Sequence, residues 1–485
     1  MPDHPMLDRS RFVQGPFAPV AEEVTAFDLP VTGSLPTDLN GRYLRNGPNP
    51  LGLDDPGAHW FLGPGMVHGV RLRDGRAEWY RNRWVRSRDV AAALGETWAG
   101  GPEHDGRDFP ANTHVLSHGG RTLATVESGP LPYELTDELE TVGPCDFGGT
   151  LPGGYAAHTK LDRRTGDLHA IAYYWAWDHI QHIVVGPDGT VGSTTDIPVS
   201  DGPMIHDFAL TERYVVLFDL PVTFSMDAVA AGSQLPYTWN PAHQARIGLL
   251  PRAGTAREVQ WIEVEPCWVF HTLNAYDDGD RVVVDVCRYQ GSYDVSILSG
   301  RGPLTLDRWI VDPAAGKVVQ QRLDDRAQEF PRADERLISR PYRYGYSAQI
   351  AEVSRAMVDG NGDLTDTAFA NTLIKHDLMA GTTQVHAFGR DATAGEPVFA
   401  PSSPDAAEDD GYVMAFVHDP DRGATDLVLL AGQDFSGEPV ARVHLPVRVP
   451  LGFHGNWISD QSPRSGEGDR RRQRDLDDTE LGGEA

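Results

Sequence analysis

The sequence predicts an all-β fold wound around one axis, a β-propeller, and three observations lead there. Gly (51) and Pro (36) make up about 18% of the 485 residues, above the ~12% of an average chain, without any low-complexity tract. Short β-branched and aromatic runs recur along the chain with turn residues between them. The chain is also long: a sandwich or small barrel closes well before 400 residues, whereas a propeller absorbs more by adding blades. No strict repeat is visible, so blade identity rests on strand count and spacing.

The strands follow in order. Arg121–Glu127 (RTLATVE), Leu168–Trp175 (LHAIAYYW) and Ile183–Val185 alternate or cluster apolar residues, the last ahead of the turn Gly186-Pro187-Asp188-Gly189. Arg213–Asp219, Ala245–Leu250, Glu258–Val264 and Arg281–Arg288 (RVVVDVCR) are rich in Val, Ile and Leu, side chains that suit a pleated, half-buried surface. Trp309–Val311, Gly411–Val417, Asp426–Leu430 and Val440–Leu445 complete the series. Helical signals are confined to Arg88–Trp98 and Asp227–Ala231, short stretches that read as insertions between strand groups. Residues 1–461 form one expected domain. Residues 462–485 mix charges of both signs with almost no apolar content and are expected to be disordered.

Composition excludes several functions. With 42 Lys+Arg against 70 Asp+Glu the formal charge is −28, the wrong sign for a phosphate-binding footprint, so nucleic acid is not an expected partner. The same charge disfavours electrostatic attachment to anionic membranes. Three scattered cysteines (Cys145, Cys267, Cys287) form no disulfide framework and no CxxC site. No apolar run reaches the ~18 residues of a membrane span, and the N-terminus lacks a signal-peptide pattern. A cytoplasmic protein is the expectation.

Among 18 histidines, four stand out by context. His158 precedes the turn Arg163–Gly166; His206 follows Pro203-Met-Ile and precedes a strand; His271 lies in Trp-Val-Phe-His-Thr-Leu; His454 lies in Pro450-Leu-Gly-Phe-His. Their separations of 48, 65 and 183 residues fit one, one and about three blades of roughly 50–65 residues. Four imidazoles from different blades would then meet near the axis.

At these residues the chain resembles the carotenoid cleavage oxygenases. The blocks that carry the resemblance are Gly41-Arg-Tyr-Leu-Arg-Asn-Gly-Pro-Asn-Pro50, Gly63-Pro-Gly-Met-Val-His-Gly69, Asn112-Thr-His114, Met204-Ile-His206-Asp207, Glu329-Phe-Pro-Arg332, Glu396-Pro-Val-Phe399, Glu408-Asp-Asp-Gly411 and Pro450–Trp457. The resemblance implies a seven-bladed propeller with short helices and loops as a dome over the site. It implies Fe(2+) held by His158, His206, His271 and His454. It further implies Glu127, Glu329 and Glu396 as partners of those imidazoles, with Glu408 the competitor for the last place. Four neutral imidazoles suit a divalent first-row ion and leave two of six octahedral positions open. Carboxylates one step out would accept the second ring N–H and fix tautomer and ring direction.

The implied reaction is cleavage of a carbon–carbon double bond by O₂ to two carbonyl products. Consistent with this, no dinucleotide fingerprint or P-loop is present, and no catalytic residue beyond the iron ligands is expected. Phe61, Trp84, Tyr155, Phe270 and Phe453 are the candidate tunnel residues, with Trp60, Trp175 and Trp177 as further aromatics. Stilbene-cleaving relatives carry a Tyr in the strand resembling Arg81–Arg86 and a Lys just before the Glu matching Glu127. Here those places hold Trp84 and Val126, which favours an apolar polyene, a carotenoid or apocarotenoid, over a hydroxystilbene. Pro221–Pro236 is a candidate lip for hydrophobic contact with a membrane surface. A calcium-dependent propeller hydrolase would need an oxygen-rich cluster instead, and a scaffold propeller would need no metal.

Overall fold

In a computed structural model the chain is described over residues 11–52, 59–104, 108–295, 299–300, 302–350, 371–389 and 392–460. Seven antiparallel sheets are arranged in sequence order as blades, and in the second to sixth the first strand lies innermost. The second blade runs His114–His118, Arg121–Thr125, Tyr133–Leu135, Thr141–Pro144; the third begins at Thr159–Leu161, the fourth at Phe208–Leu210. Cys267–Asp278 opens the fifth, Gln328–Ala333 the sixth, and Val398–Pro401 the seventh.

The ring closes with strands from both ends of the chain. Gly455–Ser459 pairs with Gly41–Pro48 and becomes the inner strand of the first blade. Val31–Gly33 pairs with Ala441–His444 at the outer edge of the seventh. Each end of the chain thus completes a blade built by the other, and every blade keeps only short inner and outer edges. The strands read from the sequence recur within a few residues: Arg121–Thr125, Leu168–Ala172, Tyr214–Asp219, Arg281–Gln290 and Ala424–Ala431. Two α-helices occur among the described residues, Arg88–Ala93 and Met226–Ala230. Ser87 and Ser225 cap them by accepting from Val90 N and Ala228 N. The dome is therefore built mostly of loops.

The apolar core lies between blades, as expected when every sheet is covered on both faces. One cluster joins Val215–Leu217, Val282, Val284, Val286 and Trp309 across the fourth and fifth blades. Another joins Tyr43, Tyr80, Phe416 and Leu429 where the ring closes. The charged segment 462–485 lies outside the described residues.

Candidate metal centre

Each blade presents one titratable side chain at, or just before, its innermost strand: His114, His158, His206, His271, Glu329, Glu396 and His454. The separations in sequence thus translate into blades: His158, His206 and His271 belong to the third, fourth and fifth, and His454 to the closing strand three blades further on. Nε2 of His158 lies 3.1 Å from Nε2 of His206, which is 3.3 Å from that of His271, which is 3.2 Å from that of His454. Metal–imidazole bonds of about 2.0–2.1 Å place neighbouring nitrogens roughly 2.8–3.4 Å apart, so the spacing fits one ion.

The second ring nitrogens explain why a cation belongs there. His271 Nδ1 is 2.5 Å from Glu329 Oε2, and His454 Nδ1 is 2.9 Å from Glu396 Oε1. Glu127 Oε1 stands 2.5 Å from His206 Nδ1, off the line of the ring N–H. Carboxylates hold protons on Nδ1 and leave lone pairs on Nε2. Those lone pairs face one another, an arrangement that repels unless a cation sits between them. Glu408 is elsewhere: its Oε1 accepts from Arg343 N and Tyr344 N, and Glu396 takes the place beside His454. His114 occupies the equivalent position on the second blade, yet its Nε2 accepts from Asn456 Nδ2 at 2.9 Å. That lone pair is engaged, which separates this fifth imidazole from the other four.

Electrostatics favour the neutral imidazole at His158 and His454. Burial, reinforced by the neighbouring imidazoles, pulls His158 well below its ordinary pKa. Burial takes His454 down to about 4 against the opposing pull of Glu396. Burial works to lower His271 as well, but Glu329, Asp207 and Glu396 together raise it above its ordinary pKa. Burial works to raise Glu396, but Arg332 and His454 hold it well below the usual carboxylate range.

Two residues that follow these carboxylates have left-handed backbones, Ser128 at φ 64° and Phe330 at φ 54°. For an aromatic residue this conformation is uncommon and costs about 1–3 kcal/mol. The strain falls on a bulge between Glu329 and Arg332. It turns the Phe330 ring onto His271 (5.6 Å between centroids) and His454 (5.4 Å), holding both imidazoles from one side.

A cavity of about 630 Å³ opens over His206, His271 and His454, within the ~300–1,000 Å³ range of small-molecule sites. Phe61, Phe270 and Phe453 line it, as do Trp60, Trp175 and Val126. Trp84 does not: it is buried beside Met66 and Val90, and its Nε1 donates to Asn49 O. Tyr155 also lies elsewhere, packed on Phe147 in the core beside the third blade, and Trp177 packs against that same cluster. The sequence reading missed Met204, Tyr173, Tyr237, Tyr289, Tyr293 and Phe330, which also line the cavity. Glu329-Phe330-Pro331, an aromatic between a carboxylate and a proline, was the available signal for the last.

The match to known proteins extends over almost the whole chain. Residues 17–459 match the family described as RPE65, retinal pigment epithelial membrane protein. The chain belongs to that family. It is 45% identical to the carotenoid cleavage oxygenase of Mycobacterium tuberculosis, over 92% of this chain and 97% of that one. Among solved structures, the lignostilbene dioxygenase of Pseudomonas brassicacearum superposes with a TM-score of 0.82 at 29% identity, covering 93% and 98% of the two chains. Cobalt-substituted Synechocystis apocarotenoid oxygenase gives 0.78 at 28% identity, covering 91% and 97%. The protein is an oxygenase of the carotenoid cleavage type, on a seven-bladed propeller.

Proposed function

We propose that this oxygenase uses Fe(2+), held by His158, His206, His271 and His454, to cleave one double bond of a carotenoid or apocarotenoid with O₂. What carries the reading is a juxtaposition: three of the four imidazoles form the floor of a deep apolar cavity. Bound ferrous iron supplies binding and activation of O₂. Both oxygen atoms and all electrons come from O₂ and the alkene, so no reducing cofactor enters the balance.

The chain's own residues do the rest. Glu329 and Glu396 hold protons on Nδ1 of His271 and His454, Glu127 stands beside Nδ1 of His206, and each Nε2 is left free to bind the ion. Phe61, Phe270 and Phe453 meet edge to face above the imidazoles, Phe61 at 6.0 Å from Phe270 and 5.7 Å from Phe453, a slot that fits a flat conjugated chain and excludes water. Val126 offers no cation to a phenolate, which supports the polyene over the hydroxystilbene. The placement of Trp84 removes that residue from the choice.

No helix among the described residues is long and apolar enough to cross a membrane. The mouth of the cavity is nevertheless apolar: Met226 is 64% exposed, Trp175 45% and Val229 41%. This rim, within and beside Pro221–Pro236, would rest on a membrane surface by hydrophobic contact and take up substrate there. The test is metal per chain after growth with iron, followed by incubation with a carotenoid, an apocarotenal and a hydroxystilbene under ¹⁸O₂. Stoichiometric iron and labelled carbonyl products from the polyenes are expected. Cleavage of the stilbene alone would transfer the enzyme to the other branch.

A further inference from the structure

A second cavity, of about 440 Å³, touches the same imidazoles and has the opposite chemistry. Its wall includes Arg42, His118, Lys160, Asp207, Glu335 and Asp460. Sequence order shows how the two cavities are placed. Residues before a proposed ligand, Met204, Phe270 and Phe453, line the apolar cavity. Residues after a ligand, Lys160, Thr272 and Asn456, line the polar one. Since each chain runs past the centre along an inner strand, the cavities lie on opposite sides of it. Three imidazoles, of His158, His271 and His454, face the polar side.

Three of the four Lys and Arg side chains on this wall are paired with carboxylates, and the fourth, Arg163, is exposed to solvent. Lys160 Nζ pairs with Asp207 at 3.0 Å, Arg42 with Asp137 at 3.0 Å, and Arg332 with Glu335 at 2.9 Å and Glu396 at 3.1 Å. An incoming positive ion therefore meets compensated charge at Lys160, Arg42 and Arg332, while the exposed charge of Arg163 is screened by solvent. The cavity reaches the surface at Ser117, Gly120, Asp137 and Asp460, all exposed or partly so.

We infer that the polar cavity is the route by which a hydrated divalent cation reaches the four imidazoles, so that metal and hydrocarbon approach from opposite sides. Moving an ion through an apolar space without partners costs far more than thermal energy supplies. Along the polar wall, carboxylate and hydroxyl oxygens replace departing waters one at a time. The net charge of −28 concentrates cations at such an opening. The inference rests on the four-histidine reading of the centre.

Ser117 at the polar mouth and Ser233 at the apolar rim permit a matched experiment. Each is changed to Cys (S117C, S233C) and, in the folded protein, alkylated with a bulky maleimide; Cys145, Cys267 and Cys287 are buried and stay unmodified. Uptake of Co²⁺ by the metal-stripped full chain is then followed in time to its endpoint. Alkylated S117C is expected to load at least tenfold more slowly than its unalkylated form and to reach the same one ion per chain. Alkylated S233C is expected to load at the unmodified rate. Unchanged loading by alkylated S117C, or equal slowing by alkylated S233C, overturns the route. Failure of the unmodified protein to bind Co²⁺ at all would instead overturn the centre itself.

Discussion

Glu396→Gln isolates the role of a carboxylate that never touches the ion. Glu396 is 1% exposed, its Oε1 lies 2.9 Å from His454 Nδ1, and its Oε2 accepts from Gly455 N at 2.8 Å. Arg332 Nη1 is 3.1 Å away. An amide keeps the shape but offers a single acceptor to three donors, so its NH₂ must face an N–H or the guanidinium. Loss of such a partner lowers metal affinity ~10–100-fold, equivalent to about 1.4–2.7 kcal/mol. Breaking a buried ion pair costs about 3–5 kcal/mol of stability; the surviving contact of Arg332 with Glu335 places E396Q at the lower end. Competition of the protein with a chelator for Co²⁺ reads the affinity, and thermal unfolding of the metal-free protein reads the stability. Glu408→Gln is the control, because Glu408 serves the turn at Arg343–Tyr344; its metal affinity should stay within twofold of wild type. Wild-type affinity in E396Q, or an equal loss in E408Q, would refute the reasoning.

Three further outcomes follow from the same geometry. Val126→Lys puts an ammonium into the apolar cavity wall and should lower polyene cleavage at least tenfold, whereas Trp84→Phe should leave the ratio of polyene to stilbene turnover unchanged; product analysis on both substrates checks this. Paired replacement of Met226 and Val229 by Ser removes about 1.5–3 kcal/mol of apolar burial per side chain, so co-sedimentation with neutral vesicles should fall at least tenfold and should not respond to salt. Away from the centre, burial lowers His68, His169 and His182 to about 3. Unfolded histidine binds its proton near 6.5, so this stability is present above that pH and is lost as pH falls toward 3. At pH 5 the loss reaches about 2 kcal/mol per group at most, and urea midpoints at pH 7 and pH 5 should differ accordingly; equal midpoints would contradict it.

Strands were legible because β-branched runs and glycine turns are local signals, and the four histidines because each sits in a recognisable block. The faces of side chains were not. Trp84 pairs across from Met66 on the third and fourth strands out from the axis in the first blade, and a shift of one residue decides whether it meets the cavity or the backbone of Asn49. Tyr155 is three residues from His158, but the intervening Ala156 and Ala157 carry the chain from the blade core to the axis. Phe330 was hidden for a different reason: its aim depends on a positive φ at a bulge, and nothing in a residue's identity announces that.

The strand that closes the ring has a temporal consequence. His454 directly precedes Gly455–Ser459, and those residues take their place only against Gly41–Pro48. During synthesis the first three imidazoles emerge long before the fourth. In the proposed centre a chain that stops before His454 lacks the fourth donor, and one that stops just after it lacks the strand that holds that donor in place. Under the proposed four-histidine centre, a bound ion would tie the strand that closes the ring to the third, fourth and fifth blades.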